Sequence, residues 1–449
     1  MSARHVSLLA VLAVVLAGVG TLSTIERASN PSAPPGVFGA QGTVESTALY
    51  CTGLTSARLG AVGAVTLINT TAAAREVSIG ASSNTGQRWS SSVRVAGHSS
   101  VALRPSNHLS GDSFGLTALV SGGGVVGVVA TSARGAEAPC VATGVTTWYG
   151  SGFDTSVGSD AALSIYNPTA TPAVLNVTTY SAAGFAAPAP FQGLSVGPHA
   201  QVRLDLGTQV VATPNIGVRV KVLRGVLDVV GVQRSGARVS FNPGSSTEAT
   251  SILWPRVTTA NGALAQIRVA NPSPRPATVT LHVTLKPYSL SPMVETVRAY
   301  SSTSFTITPD SAIPAAGYAS VRLTSNEPVI AALATGSSAG TWLSAPGVVA
   351  ANFLAIDLYG QGFDAVALTN VSTRPLRVEA LISERTGQTP TRHSATIAAG
   401  TTSEFSTLFG ENLTRKVVAL HASAAQLQLT LTLPTSPAGD VVLEPLDGR

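Results

Sequence analysis

Apolar and polar positions alternate in short runs along most of this chain, and one segment near the N-terminus breaks the pattern. From Val6 to Gly20 every residue except Ser7 is apolar or small, with Arg4 and His5 ahead of the run and Glu26-Arg27 behind it. A short basic stretch followed by an apolar one is the pattern of an export signal. Val6 through Ile25 is 20 residues, enough to cross a bilayer as a helix. The positive residues precede the span, so the N-terminus is expected to stay cytoplasmic and the bulk of the chain to lie outside the cell membrane. No clean small-x-small cleavage site follows. Residues 1–27 are therefore read as a signal anchor, with a cleaved signal and a secreted protein as the alternative. Residues 28–44, rich in Pro, Gly, Ser and Ala, read as a tether.

The alternating runs beyond the tether repeat. A strand ending in Asn recurs as Val65–Asn69, Leu163–Asn167, Ile267–Asn271 and Val366–Asn370, and the asparagines are separated by 98, 104 and 99 residues. A second alternating strand follows each turn. About 30 residues after the Asn comes a turn and strand, clearest at Ala96–Leu103 and Gly197–Leu204. Each repeat then closes with two apolar runs around a turn, such as Leu116–Ala130 about Gly122-Gly123-Gly124, which reads as a hairpin. Short strands of period two between Gly, Pro, Asn and Ser turns predict an all-β chain. Repeats of about 100 residues have the size of immunoglobulin-like β-sandwiches. The expected organisation is four tandem units over residues 45–142, 143–245, 246–345 and 346–449. The one helical candidate after the tether is a short turn at Ser406–Leu413.

Composition sharpens this picture. Charged residues are 11% of the 449 and aromatic residues 5%, against an apolar set of 44%. Average soluble domains carry about 25% charge. The basic residues exceed the acidic ones by 27 to 22, yet only Lys221, Lys286 and Lys416 are lysines and no polybasic run occurs. Nucleic acid is not an expected partner. Cys51 and Cys140 are an even pair outside any metal-ligand spacing, and in an exported chain they are expected to form a disulfide.

Candidate chemistry is sparse. Gly111-Asp112-Ser113-Phe114-Gly115 matches GxSxG and looks like the nucleophile loop of trypsin-like proteases. No helix pattern follows it, and Asp112 is the only aspartate before Ser113, so the serine lacks a base and an orienting carboxylate in the required order. The histidines show no HxH or HxxxH spacing, and no metal, cofactor or phosphate loop is indicated. His98 and His199 occupy equivalent turns, which points to a turn role. Tyr149-Gly150-Ser151-Gly152-Phe153-Asp154 recurs as Tyr359-Gly360-Gln361-Gly362-Phe363-Asp364, either a duplicated ligand loop or a shared turn with an aromatic plug. Arg219 and Lys221 alternate with Val218, Val220 and Val222 and precede Arg224, which places two cations on one strand face. Such a strip suits an anionic polymer or a solvated sheet face. The candidate ligand or partner surface is thus Arg219, Lys221, Arg224, Tyr149, Phe153, Asp154, Tyr359, Phe363 and Asp364. Sequons stand at Asn69, Asn176, Asn370 and Asn412.

The Ala/Gly/Arg-rich, Lys-poor usage, the N-terminal anchor, the tether and the tandem Asn-Pro β-units together resemble uncharacterised membrane-anchored envelope proteins of actinobacteria. That resemblance implies location and architecture and assigns no activity to any residue. The expected function is a non-catalytic extracytoplasmic scaffold or rod, anchored in the membrane and contacting an envelope protein or glycan. A binding module for an envelope glycan or anionic polymer is the alternative, and a secreted hydrolase a remote one.

Overall fold

The structure is a computed structural model. It describes residues 46–443 apart from 57–61, 70, 98, 132–136, 237, 259–263, 286–287, 308–317, 337–341, 347–352, 358–364, 371–373, 385–390, 400, 411–415, 423–426 and 433–440. Residues 1–44, read above as a signal anchor and a tether, lie outside these residues. No helix among the described residues is long and apolar enough to cross a membrane.

The chain is all-β, and the described strands form seven antiparallel sheets. The first stretch contributes β1 (Ser46–Thr55), β2 (Gly63–Asn69), β3 (Arg75–Ser83), β4 (Arg88–Val95), β5 (Ser100–Leu103), β6 (Ser113–Ser121), β7 (Val125–Thr131) and β8 (Glu137–Pro139). They pair as β1-β6-β3-β4 and β5-β2-β7-β8. Next come β9 (Thr147–Phe153), β10 (Ser159–Tyr166), β11 (Ala173–Ser181), β12 (Gly184–Ala186), β13 (Leu194–Val196), β14 (Gln201–Asp205), β15 (Ile216–Arg224), β16 (Asp228–Ser235) and β17 (Arg238–Asn242). Their orders are β12-β11-β15-β9, with β13 on β11, and β14-β10-β16-β17. In an immunoglobulin constant domain the first, second, fifth and fourth strands share a sheet. Here the first strand lies beside the sixth, so the likeness to that fold is one of size and of two antiparallel sheets, not of strand order.

The closing hairpins expected from sequence are crossings between sheets. β6 and β7 belong to different sheets, as do β15 and β16. Both runs of each pair are apolar on alternate positions because they feed one core from opposite sides. Leu116, Ala118 and Val120 of β6 and Val125 and Val129 of β7 are all buried in the same cluster. In the third stretch the two runs fuse into one 19-residue strand, Tyr318–Gly336. Its first half pairs with Ala249–Thr258 and Ala277–Leu285, and its second with Leu264–Asn271 and Trp342–Pro346. The last stretch forms two four-stranded sheets, and its helix is Phe405–Phe409, within and just before the expected turn.

The recurring Asn is a buried staple. Asn69, Asn167, Asn271 and Asn370 are at most 1% exposed. Each side-chain Nδ2 donates to the carbonyl four residues on (Ala73, Thr171, Arg275, Arg374) at 2.7–2.8 Å. Each also donates to the end of a strand downstream (Val95, Val196, Val297, Ile397) at 3.0–3.2 Å. At Asn69, Asn167 and Asn271 the Oδ1 accepts from the N–H two residues on, at 2.9 Å, the geometry of an Asx turn. Asparagine alone supplies an acceptor and two donors at that length, so the residue type follows from the geometry. The equivalent turns one hundred residues apart put His199 (φ 49°) and Tyr300 (φ 55°) in the left-handed region, which accounts for His199 as a turn residue. His98 lies outside the described residues.

Successive stretches share buried surface. Val230, Val232, Val239 and Phe241 belong to the same apolar cluster as Phe114 and Leu116. Tyr180 packs with Ala270 and Ile330. Contacts also run between residues distant in sequence: Phe353–Asp357 lies against β2 and β7, and Val441–Leu443 against β8 and Trp342–Pro346. The last stretch therefore touches the first and the third.

Candidate functional site

Cys51 and Cys140 form the expected disulfide across 89 residues, and both are at most 1% exposed. Cys51 sits in β1 and Cys140 just after β8, so the bond joins the two sheets of the first stretch.

The Tyr149–Asp154 motif is not a loop. It is the end of β9, an edge strand with a bulge opposite Ile216–Val218. Its glycines answer to packing. A Cβ at Gly150 would lie 2.4 Å from the Trp148 ring, and Gly152 has φ 84°. Phe153 is fully buried and Asp154 is 4% exposed. A ligand surface containing Phe153 and Asp154 is thus corrected: both side chains are enclosed. Asp154 accepts from Ser156 N–H at 2.8 Å and pairs with Arg268 across the junction to the third stretch at 3.5 Å. Gln233 brackets its backbone, accepting from Asp154 N–H and donating to its carbonyl, both at 2.9 Å. Arg268 also donates to the Gly152 carbonyl at 2.9 Å. Burial lowers the Arg268 pKa and the Asp154 charge opposes that shift. The copy at Tyr359, Phe363 and Asp364 lies outside the described residues.

The basic strip is divided. Val218 and Val220 point into the core and Arg219 and Lys221 point outward, as alternation requires. Lys221 and Arg224 are exposed. Arg219 is half-buried opposite Tyr149, and its Nε has no hydrogen-bond partner. Tyr149 is hydrogen-bonded to Glu248, and its hydroxyl pKa is raised, by burial first and then by the Glu248 carboxylate, with Arg219 opposing. Arg219 and Tyr149 thus belong to the junction, while Lys221 and Arg224 face solvent.

Sequence reasoning missed the other junction. Ser113 of the GxSxG match is 2% exposed. Its hydroxyl shares a hydrogen bond with Ser164 at 3.1 Å and accepts from Gln201 Nε2 at 2.9 Å. Thr52 donates to Gln201 Oε1 at 3.0 Å and shares a hydrogen bond with Ser164 at 2.9 Å. No histidine or carboxylate takes part in this set of side-chain bonds, and the serine is a bridge between the first and second stretches. Beside it, Asp228 is buried and accepts from the N–H groups of Val229 and Thr52; burial holds its pKa well above the ordinary carboxylate value. One faint signal existed: polar residues at positions that alternation assigns to a sheet's outer face, in a chain where outer faces also pack. Among the described residues no group of three or more His, Cys, Asp or Glu is placed to hold a metal ion.

Comparisons with known proteins give few relatives. No curated protein matches the sequence. Among solved structures, the chain is similar to a tetra-tandem repeat from the extending region of a large adhesion protein, at 12% identity and a TM-score of 0.11 over 88% of this chain and 98% of that one. It is also similar to the Streptomyces avermitilis alpha-L-rhamnosidase complexed with L-rhamnose, at 9% identity and a TM-score of 0.13 over 73% of this chain and 47% of that one. Scores this low carry no argument about fold or activity. Residues 117–407 match a family of unknown function, DUF5719, and with more than half of its length inside that match the chain belongs to this family.

Proposed function

We propose that this protein is a non-catalytic, membrane-anchored scaffold of the cell envelope, presenting four tandem β-sandwich units outside the membrane to an envelope protein or glycan. The carrying observation is that consecutive stretches are fixed to each other by buried polar side chains, Thr52–Ser164–Gln201 at one junction and Arg268–Asp154 at the next. Buried polar bonds of this kind must be satisfied to be tolerated, and when satisfied they define a single arrangement. The apolar Val6–Ile25 segment and the Cys51–Cys140 disulfide support the exported location. The test is alkaline carbonate extraction of membranes, protease treatment of intact cells, and crosslinking in the native envelope. The reading requires the chain in the membrane pellet, digestion from outside, and a reproducible crosslinked partner. Recovery in the cytosolic fraction, or covalent labelling of the wild-type chain by a serine-hydrolase probe, refutes it.

A second reading, a binding module for an anionic polymer, is favoured by the exposure of Lys221 and Arg224 on one outer sheet face. Loss of polyanion retention in a Lys221→Ala/Arg224→Ala variant is its test.

A further inference from the structure

A groove of about 500 Å3 opens on the outer face of the β6-β3-β4 sheet, away from the basic strip. Strand alternation sends Ser78, Gly80 and Ser82 of β3 to this face, with Arg88 and Ser90 opposite on β4 and Thr117 and Leu119 on β6. Around Gly80 the face carries short side chains, with the longer Glu76 and Arg94 pairing farther along it. A Cβ built at Gly80 would meet nothing within 4 Å, so the floor is bare. Leu119 is 51% exposed at the rim. The second stretch supplies the end wall: Tyr166, whose hydroxyl is hydrogen-bonded to Thr117 at 2.9 Å, and His199 on its left-handed turn. Arg88 donates to the Pro198 carbonyl at 2.8 Å, which holds its guanidinium beside His199. The lining contains an arginine and a histidine and no carboxylate.

These features describe a ligand of one kind. A volume in the range of roughly 300–1,000 Å3 fits a small-molecule site. A bare floor beside an exposed leucine accepts the apolar face of a flat ring. Ser78 and Ser90 offer hydroxyls that both donate and accept, matching a polyol. Arg88 and His199, in a lining that holds no carboxylate, favour an anion. We propose that this groove binds an anionic sugar residue, with its ring on Gly80 and Leu119, its hydroxyls on the serines and its carboxylate or phosphate on Arg88 and His199. The site stands independently of the Lys221/Arg224 strip and gives the scaffold a ligand contact at the junction of its first two stretches.

Calorimetric titration of the full-length protein in detergent tests this, with trigalacturonate as the carboxylate-bearing probe, mannose 6-phosphate as the phosphate-bearing one and maltotriose as the neutral control. The expected result is saturable binding of one or both anions, with maltotriose weaker by about tenfold or more, since charge-assisted hydrogen bonds are lost. The stronger anion identifies which source the groove prefers. Arg88→Ala is expected to weaken binding by about tenfold or more. Gly80→Phe, which plants a ring on the open floor, is expected to abolish binding while leaving thermal unfolding unchanged; the Lys221→Ala/Arg224→Ala variant is expected to bind as wild type. The proposal is overturned by absence of saturable binding of both anions at millimolar concentration, by binding indifferent to Gly80→Phe, or by binding lost with the strip rather than the groove.

Discussion

Replacing Arg268 tests whether the second and third stretches are locked by a buried charge pair. Arg268 and Asp154 have side-chain exposures of 3% and 5%. Arg268→Met keeps most of the side-chain volume and removes the charge. It leaves the Asp154 carboxylate enclosed, with Ser156 N–H as its remaining partner, and strips the Gly152 carbonyl of its donor. Breaking one side of a buried pair costs about 3–5 kcal/mol, whereas replacing both partners by neutral groups of similar volume is often near neutral. The expected loss is therefore about 3–5 kcal/mol for Arg268→Met and about 2 kcal/mol or less for Asp154→Asn/Arg268→Met. A chain of several packed units does not unfold in one step, so a single melting temperature is a poor measure. Hydrogen exchange resolved to β9 and to Leu264–Asn271 reads the local opening free energy instead. Equal protection in wild type and Arg268→Met refutes the reasoning. So does a double variant that loses the sum of the two single losses, because the pair would then have no coupling.

Three further outcomes follow from the same kind of accounting. Asn167→Ala removes donors to the carbonyls of Thr171, Val196 and Gly197, and leaving even one buried carbonyl unpaired costs about 1–3 kcal/mol; faster exchange confined to the strand ends it staples is expected, and no change would falsify the staple. Asp228 has a folded-state pKa raised above its unfolded value by burial. Its stabilising contribution is thus complete below the unfolded pKa of about 3.9 and is lost as pH rises through the folded value. Asp228→Asn is expected to raise the local opening free energy of β16, read by hydrogen exchange, at pH ~8 and to lose that advantage near pH ~4, and an advantage independent of pH rejects the assignment. Cys51→Ser/Cys140→Ser opens a loop of 89 residues, worth about 4–5 kcal/mol in chain entropy, and is expected to lower the unfolding temperature of the first stretch as followed by exchange in β1 and β8.

How far the sequence could be read depends on the range of each interaction. The strands, the Asn landmarks and the disulfide were legible because each is announced by local pattern or by residue chemistry: alternation, a recurring Asx turn, an even pair of cysteines outside any metal-ligand spacing. Strand pairing was not. The runs flanking Gly122-Gly123-Gly124 look like a hairpin because a strand returning to its neighbour and a strand crossing to the facing sheet carry the same alternation. Period two says which side of a strand is apolar and nothing about which sheet receives it.

The junction residues fail for a related reason, and the failure is informative. Asp154 was read as a candidate ligand contact, Ser113 as a nucleophile-loop match without partners, and Gln201 and Arg268 drew no reading, because a polar side chain on a strand is ordinarily assigned to the outer face. Where one sheet packs against the next stretch of chain, an outer face becomes the inner face of that contact, so a polar residue there is buried as soon as the neighbouring stretch docks. Burial then demands partners, and these lie 51 residues apart for Ser113 and Ser164 and 116 for Gly152 and Arg268. No local pattern carries that distance. The same logic separates the two readings of the basic strip: Arg219 stands two residues from Lys221 on one face, yet one is drawn into a contact with Tyr149 and the other left to solvent. Only cations that no neighbouring unit covers are available to a ligand, which limits the strip to Lys221 and Arg224 and makes Arg88, at the mouth of a groove formed by two units, the better-framed anion contact.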